Sequence, residues 1–134
     1  MLGRQLAERF SMRALVLDDS KTTRMILRRI FQNIGFEVSE AEDGAQGLKS
    51  IREAGKPDFV TVDWDMPVMD GLAFVRAVRA EYPGENLPLL MVTAANDLTH
   101  VAVALEAGAN EYLMKPFTEE MLREKLDLLG VLQD

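Results

Sequence analysis

The sequence predicts a doubly wound α/β domain built on a five-stranded parallel sheet. Three observations predict it. Short apolar runs alternate five times with segments of helical period. The first run, Ala14 to Leu17, is continuously apolar, as strands covered on both faces are. The connections between the units are short enough for right-handed crossovers. Five units are too few to close an eight-stranded barrel. A length of 134 residues bounds the chain to one domain with room for a proper core.

The elements follow in order. Ala14-Leu15-Val16-Leu17 is the first strand and stops at Asp18-Asp19. Ser20 caps the first helix, where Met25, Ile26, Ile30, Phe31 and Ile34 fall at helical spacing and Gly35 supplies the stop. Phe36 to Ala41 reads as the second strand. Asp43-Gly44 opens the second helix, which carries Leu48 and Ile51 and ends at Gly55 before Pro57. Phe59-Val60-Thr61-Val62 is the third strand and again ends in a carboxylate, Asp63. Leu72, Phe74, Val75 and Val78 mark the third helix, closed by Pro83-Gly84. Leu87 to Thr93 is the fourth strand, and Leu98 to Ala107 the fourth helix, stopped by Gly108. Glu111 to Met114 is a short fifth strand and Thr118 to Leu129 the fifth helix. Met25, Met91 and Met114 lie inside elements and read as core filling. Residues 1–12 read as a leader. Leu2, Leu6 and Phe10 would form one stripe of a short helix there, although termini are usually poorly ordered. Residues 13–130 form the domain and 131–134 a tail. Leu128, Leu129, Val131 and Leu132 are compatible with the start of a linker helix.

Composition narrows the classes. Hydrophobic residues at 48% and charged residues at 28% exclude collagen, low-complexity disorder and disulfide scaffolds. The absence of cysteine excludes thiol nucleophiles, iron–sulfur clusters and cysteine-rich zinc sites, and agrees with a reducing compartment. Fifteen basic against 22 acidic residues leave a net charge of −7, which repels nucleic acid and anionic membranes. No apolar run approaches the ~20 residues of a membrane span. Arg4, Glu8 and Arg9 interrupt any signal-peptide core. The expectation is a cytoplasmic protein with neither direct nucleic-acid binding nor membrane insertion.

Ligands of doubly wound sheets bind beyond the carboxyl ends of the strands. The residues there are Asp18 and Asp19 after strand one, Asp63 after strand three, Thr93 ending strand four and Lys115 after strand five. Taken singly, a strand-end Asp is most often a helix cap or turn residue, and Asp19 would serve as one. Together, three carboxylates at one edge repel each other unless a cation neutralises them. An all-oxygen donor set suits Mg²⁺, which keeps several waters and completes its shell with phosphate. Lys115 adds a fixed positive charge and Thr93 a hydroxyl donor, both suited to phosphoryl oxygens. A carboxylate nucleophile, a divalent metal, a lysine and a hydroxyl make a site for in-line phosphoryl transfer.

With these motifs in place, the sequence resembles the receiver domain of bacterial two-component response regulators. Within that family its pattern is closest to the stand-alone chemotaxis regulators. The resemblance runs from about Arg13 to Leu129. It rests on Leu17-Asp18-Asp19-Ser20, Asp63-Trp64-Asp65-Met66-Pro67-Val68-Met69-Asp70-Gly71, Val92-Thr93-Ala94 and Lys115-Pro116-Phe117. It implies a flavodoxin-like sheet of order 2-1-3-4-5. It implies that Asp63 accepts a phosphoryl group from a phosphohistidine on a sensor histidine kinase or histidine phosphotransfer protein. Asp19, Asp63 and the backbone carbonyl of Asp65 would coordinate Mg²⁺, with Asp18 reaching it through water and Mn²⁺ able to substitute. Lys115 would pair with the acyl phosphate, over a cis Lys115-Pro116 bond. Thr93 would move toward the phosphate and Tyr112 would turn inward. The changed surface, helix four, strand five and helix five, would engage a downstream protein target. The implied protein is a signalling switch that modifies only itself, a monomer or weak dimer.

Two departures from the stand-alone pattern bear on phosphate lifetime. Asp65 stands where Asn is usual, and Ala95 where an acidic residue is usual. Asp65 is expected to alter the lifetime electrostatically. Two other readings compete. Asp63-Trp64-Asp65 also resembles the Asp-x-Asp signature of haloacid-dehalogenase-like phosphatases, but there the motif ends the first strand, which Asp18-Asp19 already occupies. Alternatively, the chain is a receiver cut from a longer regulator with an effector domain. Elsewhere the bland reading holds. His100 reads as plain surface. Lys21, Arg24, Arg28 and Arg29 give the first helix a basic side, a solvated face by default and otherwise a match for an acidic kinase surface. Asp43-Gly44 and Asp70-Gly71 read as turns before helices.

Overall fold

The computed structural model describes residues 12–94 and 98–132. The leader up to Ser11, Ala95 and the last two residues of the tail lie outside them. Five units follow one another: β1 (Met12–Leu17), α1 (Lys21–Ile34), β2 (Phe36–Ala41), α2 (Gly44–Ala54), β3 (Phe59–Val62), α3 (Gly71–Glu81), β4 (Leu89–Ala94), α4 (Leu98–Ala107), β5 (Glu111–Lys115) and α5 (Glu119–Leu128). The strands form one parallel sheet of order β2-β1-β3-β4-β5, the doubly wound arrangement that the sequence predicts. Met12, expected at the end of the leader, is the first residue of β1 and pairs with Phe36. β4 starts at Leu89 rather than Leu87, because Pro88 has no N–H to give the ladder.

Strand alternation distributes the core over both faces. Ala14, Val16, Phe59, Leu90, Val92 and Leu113 pack against Leu27 and Phe31 of α1 and Leu122 and Leu126 of α5. Leu15, Leu17, Val60, Val62, Leu89 and Met91 pack on the other face against α2, α3 and α4. Phe31, Phe36 and Phe59 meet edge to face, with Phe31 and Phe59 centroids 5.0 Å apart. Such pairs add about 1 kcal/mol beyond the area they bury.

The helices start where the sequence places caps. Ser20 accepts from Thr23 N–H, Asp43 from Gln46, Asp70 from Ala73 and Thr118 from Met121. Asp43 and Asp70, read as turn residues before helices, thus cap those helices. Gly35 closes α1 at φ 121°, where a side chain would be strained. One expectation is overturned. Met25 is 53% exposed and Ile26 48%, so neither fills the core. The buried stripe of α1 is instead Arg24, Leu27 and Phe31, spaced i, i+3, i+7. α5 stops at Leu128, and Gly130 turns the chain at φ 75°. Val131 N–H then bonds back to the Leu126 carbonyl at 3.1 Å, and its side chain is buried in the core.

Thr61 Oγ is, among the described residues, the buried side-chain polar atom without a hydrogen-bond partner. It lies in register between Val16 and Leu90, in an apolar layer. The near-isosteric Thr61→Val removes its desolvation penalty, and we expect stabilisation of about 1 kcal/mol. The check is a urea titration, in which the midpoint rises while the slope is unchanged.

Candidate functional site

Register brings the acidic residues to one height. Leu17 pairs with Val62, and Val62 with Met91, across β1, β3 and β4. Asp18 and Asp63 each follow a residue of that row, so they leave neighbouring strands side by side. The ladder extends into both of them. Asp63 N–H donates to the Leu17 carbonyl at 2.9 Å, and Asp18 N–H to the Ala41 carbonyl at 3.2 Å. Asp19 follows in the β1–α1 turn. One carboxylate oxygen from each of Asp18, Asp19 and Asp63 lies within 4.8 Å of the others. Asp18 and Asp63 are buried, at 1% and 7% exposure, while Asp19 faces solvent.

Lys115, the last residue of β5, reaches this cluster across the sheet edge. Its Nζ donates to Asp18 Oδ2 at 2.9 Å and stands 3.6 Å from Asp63 Oδ1. The Lys115-Pro116 bond is cis. Thr93 is buried on β4, one position before Ala94, which pairs with Lys115. The second oxygen of Asp18 accepts from Ser20 N–H at 2.9 Å, so both oxygens of this carboxylate are held.

Charge balance sets the chemistry. Burial pushes the Asp63 carboxyl up to about 6, and the Asp18 charge adds to this; Lys115 opposes the rise, while Asp19 and Asp65 reinforce it. Burial works to lower the Lys115 ammonium. Its hydrogen bond to Asp18 and the charges of Asp63 and Asp18 outweigh burial and hold it above its ordinary value. Three carboxylates against one ammonium leave an excess of negative charge. That donor set, oxygen only and partly buried, fits a hard divalent cation such as Mg²⁺.

The chain matches the family described as the response regulator receiver domain over residues 14–127. The chain belongs to that family. It is 40% identical over 117 residues to the chemotaxis protein CheY of Pseudomonas aeruginosa, covering 87% of this chain and 94% of that protein. It is 41% identical over 121 residues to a CheY homologue of Campylobacter jejuni, covering 89% and 93%. Among solved structures, the chemotaxis protein CheY4 of Vibrio cholerae superposes with a TM-score of 0.81 at 32% identity, covering 89% of this chain and 98% of that one. This is a receiver domain of CheY type, with the acidic pocket at its sheet edge formed by Asp18, Asp19 and Asp63.

The other residues named from sequence are placed as follows. Asp65 is exposed, and its charge reaches Asp63. Tyr112 is half-buried on β5, with Lys125 Nζ 4.9 Å from its ring centroid. Lys125 is itself held by Glu111 at 2.8 Å. His100 departs from the surface reading. Its ring stacks on Trp64, with centroids 4.2 Å apart and planes 10° from parallel. Tertiary packing sets the first turn of α4 against the residue after Asp63, and the pattern of α4 carries no signal of it. Gly71 is a close-approach glycine: an added Cβ would lie 2.3 Å from the Asp63 carbonyl oxygen. Its N–H donates to the Trp64 carbonyl at 2.9 Å, which seats the loop after Asp63. Val68 in that loop is a β-branched residue at φ 66°, a strained conformation.

A carboxyl raised in the folded state is a stability liability once it ionises. The unfolded chain releases the Asp63 proton near pH 4 and the native chain near 6, so stability falls as pH rises between these values. In metal-free buffer at pH 8, Asp63→Asn is expected to raise Tm by several degrees. The gain should shrink as pH is lowered through 6 toward 4, as followed by circular dichroism melts.

Proposed function

We propose that this receiver domain is a Mg²⁺-dependent phosphoacceptor switch of a two-component pathway, with Asp63 as the acceptor. The observation that carries the reading is the Asp18–Asp19–Asp63 cluster with Lys115 reaching two of its members. Asp19, Asp63 and the Asp65 carbonyl would hold the cation, with Asp18 acting through water. The ion would neutralise the carboxylates and polarise the incoming phosphoryl oxygens. Asp63 supplies the nucleophile: its carboxylate oxygen forms the new O–P bond while the N–P bond to a phosphohistidine breaks, and the imidazole nitrogen departs with the electron pair. Lys115, 2.9 Å from Asp18 Oδ2 and 3.6 Å from Asp63 Oδ1, would turn to the new phosphoryl group. The donor is a sensor histidine kinase or a histidine phosphotransfer protein.

The Thr93 hydroxyl is the group that tells the two states apart. A bond from it to the phosphate exists in one state only, and such a difference in contacts shifts a population. Tyr112 would follow, altering the face made by α4, β5 and α5 for a downstream protein target. The domain modifies only itself and turns over no external substrate. It acts in the cytoplasm as a monomer or weak dimer. Among the described residues, no helix is long and apolar enough to cross a membrane.

Trp64 is the sole tryptophan and adjoins Asp63, so its fluorescence reports on the site. Titration with Mg²⁺ should give a saturable change, and acetyl phosphate a further one. Intact mass should then show a single phosphoryl adduct. Asp63→Ala should abolish the adduct and the donor-dependent change. A wild-type protein showing no response to Mg²⁺ and no adduct would overturn the reading.

A further inference from the structure

Arg24 stands out among the basic residues of α1. It is buried, at 9% exposure, where its neighbours Lys21 and Arg29 face solvent. Its guanidinium is divided among three groups. Nη1 donates to the Asp18 carbonyl at 2.7 Å, Nε donates to Glu40 Oε1 at 3.1 Å, and Nη2 lies 3.9 Å from Glu42 Oε1. Glu40 is held in turn by Arg28 Nε at 2.6 Å. A rigid fork thus ties α1 to the end of β2 and to the backbone beside the acidic pocket.

The bonded carbonyl is what makes the contact informative. The carbonyl of Asp18 and the N–H of Asp19 belong to one planar peptide unit. The Asp18 side chain is fixed separately, by Lys115 and Ser20. Orienting this carbonyl therefore orients the peptide from which Asp19 departs. Asp19 is the exposed member of the triad, and among the described contacts its carboxylate shows no such anchoring bonds of its own.

We propose that Arg24 is a positioning residue for the divalent-cation site, setting the direction of Asp19 through the Asp18–Asp19 peptide. The inference rests on the cation-dependent reading of the pocket and adds to it a residue that touches no ligand. Two effects of removing Arg24 have opposite signs. As a charge, Arg24 repels a cation, and its loss would tighten binding by exposing the pocket to Glu40 and Glu42. As a positioning group it organises the ligands, and its loss weakens binding. Changes to groups that orient metal ligands typically weaken affinity ten- to hundredfold, roughly.

The test measures Mg²⁺ dissociation constants by Trp64 fluorescence for wild type, Arg24→Met, Arg24→Lys and Glu40→Gln, with melting temperatures in EDTA and in Mg²⁺. We expect Arg24→Met to bind about tenfold more weakly or worse. Arg24→Lys keeps the charge but spans fewer partners, so it should fall between. Glu40→Gln should show a smaller loss of the same sign. The Tm rise produced by Mg²⁺ should shrink in the same order, whereas a merely structural role would lower both melting temperatures equally. Unchanged or tighter binding by folded Arg24→Met overturns the inference. If Arg24→Met does not fold, wild-type affinity in both Arg24→Lys and Glu40→Gln overturns it. Absence of Mg²⁺ binding by the wild type overturns the phosphoacceptor reading and this inference with it. Normal wild-type binding with unaffected variants removes this inference alone.

Discussion

Three carboxylates gathered within 4.8 Å at the edge of a parallel sheet repel one another, and the structure answers that repulsion with Lys115, brought from 97 residues away to 2.9 Å from Asp18. Much of the architecture around the pocket serves this confrontation of charges. β1 and β3 are adjacent, so their acidic ends lie side by side. β5 sits at the sheet edge, beyond β4, so its lysine reaches inward over the strand that carries Thr93. Breaking a buried pair by removing one partner leaves an uncompensated charge, which costs several kcal/mol, about 3–5 in typical cases. The site therefore stands or falls with the register of the strands behind it.

The compensation is incomplete, and it differs between the two buried carboxylates. Asp18 has both oxygens bonded, one to Lys115 and one to Ser20 N–H. Asp63 has a longer approach to the same lysine and a raised carboxyl. Two neighbouring carboxylates thus sit in different environments: one has both oxygens hydrogen-bonded, the other has its carboxyl raised by burial and by the charge beside it. Apolar packing on both faces of the sheet holds the strands that bring these carboxylates together. The Phe31–Phe36–Phe59 cluster lies under the same strands that deliver the acids.

Backbone contacts hold the pocket from outside. Gly71 lets the loop after Asp63 fold back onto it, leaving no room for a Cβ. On the opposite side, Arg24 reaches from α1 to the Asp18 carbonyl. The Trp64–His100 stack joins the loop after Asp63 to α4, and the Tyr112–Lys125 contact joins β5 to α5. These contacts run from the pocket toward the face that the proposed switch would change.

The order of elements was legible from the chain alone, because short apolar runs, caps and stop glycines are local features. Asp18, Asp19, Asp63 and Lys115 were legible as a group for the same reason: each ends a strand, and strand ends converge in this fold. Where local pattern misled, long-range packing was responsible. Met25 and Ile26 are apolar yet face outward, because the stripe that meets the sheet is i, i+3, i+7 from Arg24. That spacing was present in the sequence but begins with a charge, which apolar periodicity discounts. His100 meets Trp64 only through the packing of α4 beside the loop after Asp63. The sequence by itself determined the elements, their order and the residues delivered to the sheet edge, since these depend on neighbours along the chain. Tertiary structure alone decided which charges pair, how far the Asp63 carboxyl rises and which helix residue clamps the acidic turn. Those quantities depend on burial and on distances between residues far apart in sequence.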